Sequence, residues 1–248
     1  MADPALPTSP DTIALFLDLD GTLIELAPTP LSVAVPTDLP SLLAGLCERL
    51  DGALAVISGR PLAELDRLLT PLRLAGAGAH GGEYRLRADG PIEQATIPLP
   101  PGLIESATAE LAAITGVVLE DKSTVLAVHY RAAPDAEPQV VSILRSIASR
   151  SDFDLVLGKM VAELRPRGVD KGAAIAHLME RPPFAGRTPV FVGDDTTDED
   201  GFRAVDRMGG FALHVGVLRA APGRLTFEGP QAVRAWLATL LQPEETRA

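Results

Sequence analysis

Short aliphatic runs separated by segments of helical period set the rhythm of this chain. Runs at 13 to 18, 53 to 57 and 73 to 78 are too short for helices and too apolar for loops, the mark of strands buried on both faces. Between them, 38 to 50 and 61 to 68 repeat their apolar residues at helical spacing, and a hairpin through Tyr84 and Ile97 closes this part. After Pro98-Leu99-Pro100-Pro101 the rhythm changes. Helix 103 to 114, strands 117 to 121 and 124 to 131, helix 137 to 149, and strands 153 to 157 and 160 to 165 repeat a helix-strand-strand unit, which predicts helices laid over an antiparallel sheet. At Asp170 the first pattern resumes with helix 171 to 180, strand 188 to 192, helix 198 to 206, strand 211 to 215 and a closing helix near 230 to 241. The fold class is therefore α/β, a parallel sheet interrupted by a smaller α/β module. The expected division is a tail at 1 to 11, core at 12 to 99 and 167 to 248, and an inserted module at 100 to 166, whose two crossings near Pro100 and Pro166 are candidate hinges.

Two of the strands end in acid. Asp18-Leu19-Asp20-Gly21-Thr22 follows the first, and Gly193-Asp194-Asp195-Thr196-Thr197-Asp198-Glu199-Asp200 follows Val190 to Val192. Side chains two apart on a strand share a face, so Asp18 and Asp20 can address one small volume at its carboxyl end, where parallel sheets bind ligands. If both strands belong to one sheet, the carboxylates converge and repel. A hard dication relieves that repulsion, and magnesium suits a site with few carboxylates and a substrate phosphate. The pattern points to magnesium-dependent phosphate transfer with an aspartate nucleophile. Asp-Gly-Thr is also an ordinary turn, and Asp198, Glu199 and Asp200 can serve only to cap the next helix. Two such clusters ending two apolar strands favour chemistry for Asp18, Asp20 and Asp194.

Composition narrows the partners. With 22 Lys and Arg against 33 Asp and Glu, a net charge of −11 disfavours nucleic acid or an anionic membrane. The single Cys47 excludes an internal disulfide and a thiolate zinc cluster, and the four histidines are scattered. No apolar run approaches the roughly 20 residues needed to span a bilayer. Residues Met1 to Asp11 contain Asp3 and three prolines with no basic region before an apolar stretch, so no signal peptide is expected and a cytoplasmic location follows. A monomer is the simplest expectation.

The Asp18-Leu19-Asp20-Gly21-Thr22-Leu23 box, Ser58-Gly59-Arg60 after a strand, Lys171-Gly172 opening a helix and Gly193-Asp194-Asp195 after a strand resemble the four motifs of the haloacid-dehalogenase-like (HAD) phosphatases, which have a Rossmann-like core. More narrowly, Gly78-Ala79-His80-Gly81-Gly82-Glu83, Glu120 and Lys122 with His129-Tyr130-Arg131, and Lys159 and Glu163 before Leu164-Arg165-Pro166 resemble the trehalose-6-phosphate phosphatase family, over roughly 13 to 241. The resemblance implies hydrolysis of trehalose 6-phosphate through an aspartyl-phosphate on Asp18, with Asp20 as proton donor and acceptor and with Ser58 and Lys171 clamping the phosphoryl group. It implies Mg2+ held by the Asp18 side chain, the Asp20 backbone carbonyl and Asp194, with Asp195 and Asp198 as further or alternative ligands. It also makes Arg60, His80, Glu120, Lys122, Arg131, Lys159 and Glu163 substrate-binding candidates.

Each has an ordinary counterpart. Cations are unfavourable at helix amino ends, so Lys171, just after the expected N-cap Asp170, is a mild misfit that favours function. Ser58-Gly59 is a common turn pair, and His80 before Gly81-Gly82 can mark a tight hairpin. Alternation puts Lys159, Glu163 and Arg165 on one strand face and Met160, Ala162 and Leu164 on the other. Val125, Ala127, His129 and Arg131 likewise share a face. Such a charged face is either a solvated surface or a set of donors and acceptors for a hydroxyl-dense ligand. The alternatives are a phosphatase for another sugar phosphate, of the sucrose 6-phosphate or mannosyl phosphoglycerate type, a phosphomutase, and a non-catalytic phosphosugar sensor.

Overall fold

The computed structural model describes residues 12–27, 32–95, 99–122, 124–158, 160–216 and 225–242. The chain forms two compact units, Met1–Glu93 with Asp170–Ala248, and Gln94–Val169. In chain order the elements are β1 (Ile13–Leu17), α1 (Leu39–Arg49), β2 (Leu54–Ile57), α2 (Leu62–Leu68), β3 (Ala75–Gly78), β4 (Glu83–Arg85), β5 (Glu93–Gln94), α3 (Pro101–Leu111), β6 (Val118–Asp121), β7 (Leu126–His129), α4 (Glu137–Ser149), β8 (Phe153–Gly158), β9 (Val161–Pro166), α5 (Lys171–Met179), β10 (Thr188–Gly193), α6 (Glu199–Arg207), β11 (Phe211–Val215), β12 (Thr226–Phe227) and α7 (Pro230–Thr239).

The first unit is built on an eight-stranded sheet in the order β12-β11-β10-β1-β2-β3-β4-β5. Strands β12 to β3 of that order run parallel, and β4 pairs antiparallel with β3. All five residues of β1 are buried, which is why its sequence is an unbroken apolar run and does not alternate. The chain leaves β1 towards β2 and β3 on one side and later returns through β10 and β11 on the other. The carboxyl ends of β1 and β10 therefore flank the topological switch point, where such sheets leave a crevice. Leu17 pairs with Val192, and the Asp18 N–H donates to the Val192 carbonyl at 2.9 Å, so the two acidic clusters start level with each other.

A buried arginine ties down the β3-β4 side. Arg85 donates to both Asp66 carboxylate oxygens at 2.8 and 2.6 Å and, through Nε and Nη2, to the Leu74 carbonyl at 2.9 and 2.8 Å. Asp66 is thereby held below its ordinary carboxylate range, chiefly by the Arg85 hydrogen bonds.

The second unit is a four-stranded antiparallel sheet, β6-β7-β9-β8. Leu103, Ala107 and Leu111 of α3 and Val140, Leu144 and Ile147 of α4 pack with Leu126, Val128, Tyr130, Ala162 and Leu164. Alternation leaves Ala127, His129, Glu163 and Arg165 on the opposite face. The strand expected at 160 to 165 begins one residue later. Met160 has a φ of 62° and sits in the β8-β9 turn, where it is exposed and takes no part in the apolar face. Strand β12 was not expected, because two residues carry no readable period. Ile97 and the tail at 1 to 11 lie outside the described residues.

Candidate active site

Asp18, buried at the end of β1, accepts a hydrogen bond on Oδ1 from the Lys171 ammonium at 2.7 Å. The same ammonium donates to Asp198 Oδ1 at 2.6 Å. Lys171 is the first residue of α5, and Asp170 caps that helix by accepting the Ala173 N–H at 2.8 Å. The cap holds the amino end of the helix while the lysine side chain is given to the two carboxylates. Asp198 has both oxygens engaged: its Oδ2 accepts the backbone N–H groups of Asp194 at 3.0 Å and Asp195 at 2.9 Å. Asp198 thus folds the turn after β10 and aims Asp194. Thr22 donates to Asp194 Oδ1 at 3.2 Å. Between them Gly21 has a φ of 85°, and a Cβ there would lie 2.2 Å from Asp194 Oδ2, so both conformation and space demand glycine.

Burial raises the Asp18 carboxyl well above its ordinary range; Lys171 opposes that, and Asp198 and Asp194 add to it. Asp194 is pushed up to about 7, by burial first and then by Asp198. Burial works against the charged Lys171, yet Asp18 and Asp198 outweigh it and hold the ammonium above its ordinary value. Two of the carboxylates therefore bond the Lys171 ammonium, and Asp194 feels its charge without a bond to it. Asp18, Asp194 and Asp198 each offer an oxygen within 4.8 Å of the others, a hard, oxygen-only donor set that fits a dication. Asp195 is not one of this trio, its Oδ1 accepting from the Thr196 N–H at 2.7 Å and hydroxyl at 3.1 Å.

Two loops stand beside this cluster. Ser58, buried after β2, accepts the Arg60 N–H on its hydroxyl at 3.2 Å. Arg60 directs its guanidinium at Asp20: Nε lies 2.5 Å from Oδ2 and Nη2 2.8 Å from Oδ1. His80 follows β3 with a φ of 56°, donates its backbone N–H to the Ser58 carbonyl at 3.0 Å, and lays its ring against Gly59, where a Cβ would meet it at 2.6 Å.

The other face of the second unit's sheet carries a part-buried ion pair, Lys122 Nζ to Glu163 Oε1 at 2.9 Å. Glu163 is 6% and Arg165 7% exposed, unlike residues of a merely solvated face. Glu120 and His129 pair at 2.8 Å at a more exposed position, Arg131 is exposed beyond β7, and Lys159 lies outside the described residues. A cavity of about 790 Å³ in this unit is lined by Leu103, Ser106, Ile147, Arg150 and Phe153 among others, on the helical side of the sheet, and none of these is a predicted site residue.

Residues 16–222 match the trehalose-phosphatase family. The chain belongs to that family. It is 42% identical to a probable trehalose-phosphate phosphatase of Sinorhizobium fredii, over 95% of this chain and 90% of the relative. It is 41% identical to the trehalose-6-phosphate phosphatase of Escherichia coli, over 90% and 85% respectively. In structure it superposes on the C-terminal domain of the Candida albicans trehalose-6-phosphate phosphatase with a TM-score of 0.83 at 22% identity, covering 97% and 99% of the two chains, which shows the fold.

Within this trehalose-phosphatase family member, the first unit brings together Asp18, Asp194, Asp198 and Lys171, with Ser58, Arg60, His80 and Asp20 on adjoining loops. The second unit brings together Lys122 and Glu163, and separately Glu120 and His129. Sequence reasoning gave no role to Thr22, Glu64 or Glu83. Thr22 lay inside the first motif, and Glu64 stands one helical turn after Arg60, a spacing that signals an ion pair. No helix among the described residues is long and apolar enough to cross a membrane.

Proposed function

We propose that this protein hydrolyses trehalose 6-phosphate to trehalose and phosphate, with Asp18 as nucleophile and Mg2+ as cofactor. One observation carries the reading: in a chain of this family, the Asp18 carboxylate ends β1 with one oxygen fixed by buried Lys171 and with Asp194 beside it. An Asp18 oxygen attacks phosphorus, the bond from phosphorus to the sugar oxygen breaks, and Asp20 gives its proton to that oxygen. Water then attacks the aspartyl-phosphate at phosphorus, Asp20 takes a proton from it, and phosphate leaves with the Asp18 carboxylate restored. Ester and water give sugar and phosphate, and Asp20 ends as it began. The Ser58 hydroxyl and the Lys171 ammonium clamp the phosphoryl oxygens as charge redistributes.

The Asp18 side chain, Asp194 and the Asp20 carbonyl would hold Mg2+, which supplies positive charge to the phosphoryl oxygens and to the converging carboxylates. Asp198, with both oxygens engaged, supports the site from behind. In the second unit, Lys122, Glu163, Glu120, Arg131 and Lys159 offer donors and acceptors in the mixture that a neutral, hydroxyl-dense disaccharide needs.

The test is chemical trapping. Enzyme quenched in acid during turnover of trehalose 6-phosphate and reduced with borohydride should carry homoserine at position 18 by peptide mass spectrometry, and Asp18→Asn should release no phosphate. Homoserine elsewhere, or turnover by Asp18→Asn, contradicts the assignment.

A further inference from the structure

Asp20 must present its carboxyl to the leaving oxygen, yet it sits on a loop just past β1, where a two-dihedral side chain can adopt several rotamers. The structure shows what selects one. The guanidinium of Arg60 grips both Asp20 oxygens in a planar fork, at 2.5 and 2.8 Å, the bidentate arrangement that fixes a carboxylate's orientation as well as its position. The third nitrogen of that guanidinium, Nη1, donates to Glu64 Oε1 one helical turn further on. Each nitrogen of Arg60 thus has a carboxylate partner. Arg60 is about nine-tenths buried, whereas Asp20 and Glu64 remain about a quarter exposed.

The backbone beneath is equally fixed. Arg60 donates its N–H to the Ser58 hydroxyl at 3.2 Å and accepts the Ala79 N–H on its carbonyl at 3.0 Å. Helix α2 has no side-chain cap of its own at Pro61. Glu83, reaching from β4, accepts the Leu62 N–H and supplies the negative charge that a helix amino end favours. Glu83 therefore anchors the start of α2, between Arg60 before the helix and Glu64 within it.

We propose that Arg60 and Glu64 are positioning residues for Asp20: Arg60 sets the orientation of the Asp20 carboxyl, and Glu64 sets Arg60. The proposal rests on Asp20 being the proton donor and acceptor of the reaction above. A carboxylate has about four acceptor sites and the fork uses two, so Asp20 stays available to the reacting oxygens while it is held. Arg60 is accordingly assigned to Asp20 and not to the substrate, the role that sequence resemblance implied for it.

The experiment is steady-state kinetics of wild type, Arg60→Ala, Arg60→Lys, Glu64→Ala and the Arg60→Ala/Glu64→Ala double variant, on whichever sugar phosphate the wild type turns over best and on p-nitrophenyl phosphate. Arg60→Ala should lower kcat on the sugar phosphate by about 100-fold with KM within about 2-fold, because orientation is lost and no substrate contact is. Arg60→Lys should recover little, since an ammonium cannot hold two oxygens in one plane. Glu64→Ala should cost about 5-fold alone and nothing further in the Arg60→Ala background, because it acts through Arg60. Every loss should be smaller on p-nitrophenyl phosphate, whose leaving group needs no proton. Melting midpoints confirm folding, and Glu64→Gln replaces Glu64→Ala if the latter does not fold. A raised KM with kcat intact in Arg60→Ala, or independent multiplicative losses in the double variant, overturns the proposal. A wild type active on other sugar phosphates but inert on trehalose 6-phosphate overturns the substrate reading and leaves this series to be judged by itself.

Discussion

Lys171 sits between Asp18 and Asp198 with its ammonium shielded from water, and its loss should show in rate before anything else. Lys171→Ala is expected to lower kcat by about 100- to 1,000-fold, the usual cost of removing one preorganised transition-state contact. A loss below about 10-fold would contradict a phosphoryl-clamping role. At the proposed metal site protons and metal would compete. Asp194 is raised to about 7, above its unfolded carboxylate range, so in metal-free protein its contribution favours the fold at acid pH and is lost as pH rises through about 7. A dication binds the deprotonated form. The rise in melting midpoint on adding magnesium should therefore be larger at pH 8 than at pH 6, and an equal rise at both values would contradict that competition. The misfit of a lysine at a helix start made Lys171 readable in sequence. The grip of Arg60 on Asp20 was not readable, because it spans 40 residues and depends on how the turns after β1 and β2 face each other.

Among the elements, the strands of the first sheet were legible because burial on both faces strips polar residues from them: β1, β2 and β10 are short apolar runs alternating with helical segments, the pattern of a parallel sheet. The two acidic clusters were legible as neighbours for the same reason. Hairpin detail was less so. The β8-β9 turn uses a left-handed Met160, a conformation no sequence period announces. Nor does period reveal Arg85, which lies on a short strand and is almost wholly buried against Asp66 and Leu74. Arg85→Ala would take the two-oxygen partner from Asp66, leaving it Arg73 at 3.3 Å, and would strip the Leu74 carbonyl of both guanidinium hydrogen bonds. It should destabilise the fold by about 3 to 5 kcal/mol, read from the urea unfolding midpoint. A change under about 1 kcal/mol would mean that water replaces the arginine.

At the scale of the molecule, each unit has its own apolar core, and each carries a different part of the proposed function. In the proposed reaction, residues of the first unit would handle phosphorus and protons; one sheet face of the second presents Lys122 and Glu163, a pair in which the carboxylate is buried and the ammonium partly so. Lys122→Ala should raise KM for trehalose 6-phosphate by about 10-fold or more while turnover of p-nitrophenyl phosphate stays within about 2-fold, as expected when a contact to the non-reacting part of a substrate is lost. Equal losses on both substrates would move Lys122 from recognition to general stability. The measurement that tests the central claim most directly is phosphate release by the wild type from trehalose 6-phosphate, sucrose 6-phosphate, glucose 6-phosphate and mannosyl phosphoglycerate, each with magnesium and with chelator. The account predicts strong preference for trehalose 6-phosphate and loss of activity with chelator. Equal turnover of the whole panel, activity that survives chelation, or no phosphate release at all would contradict it.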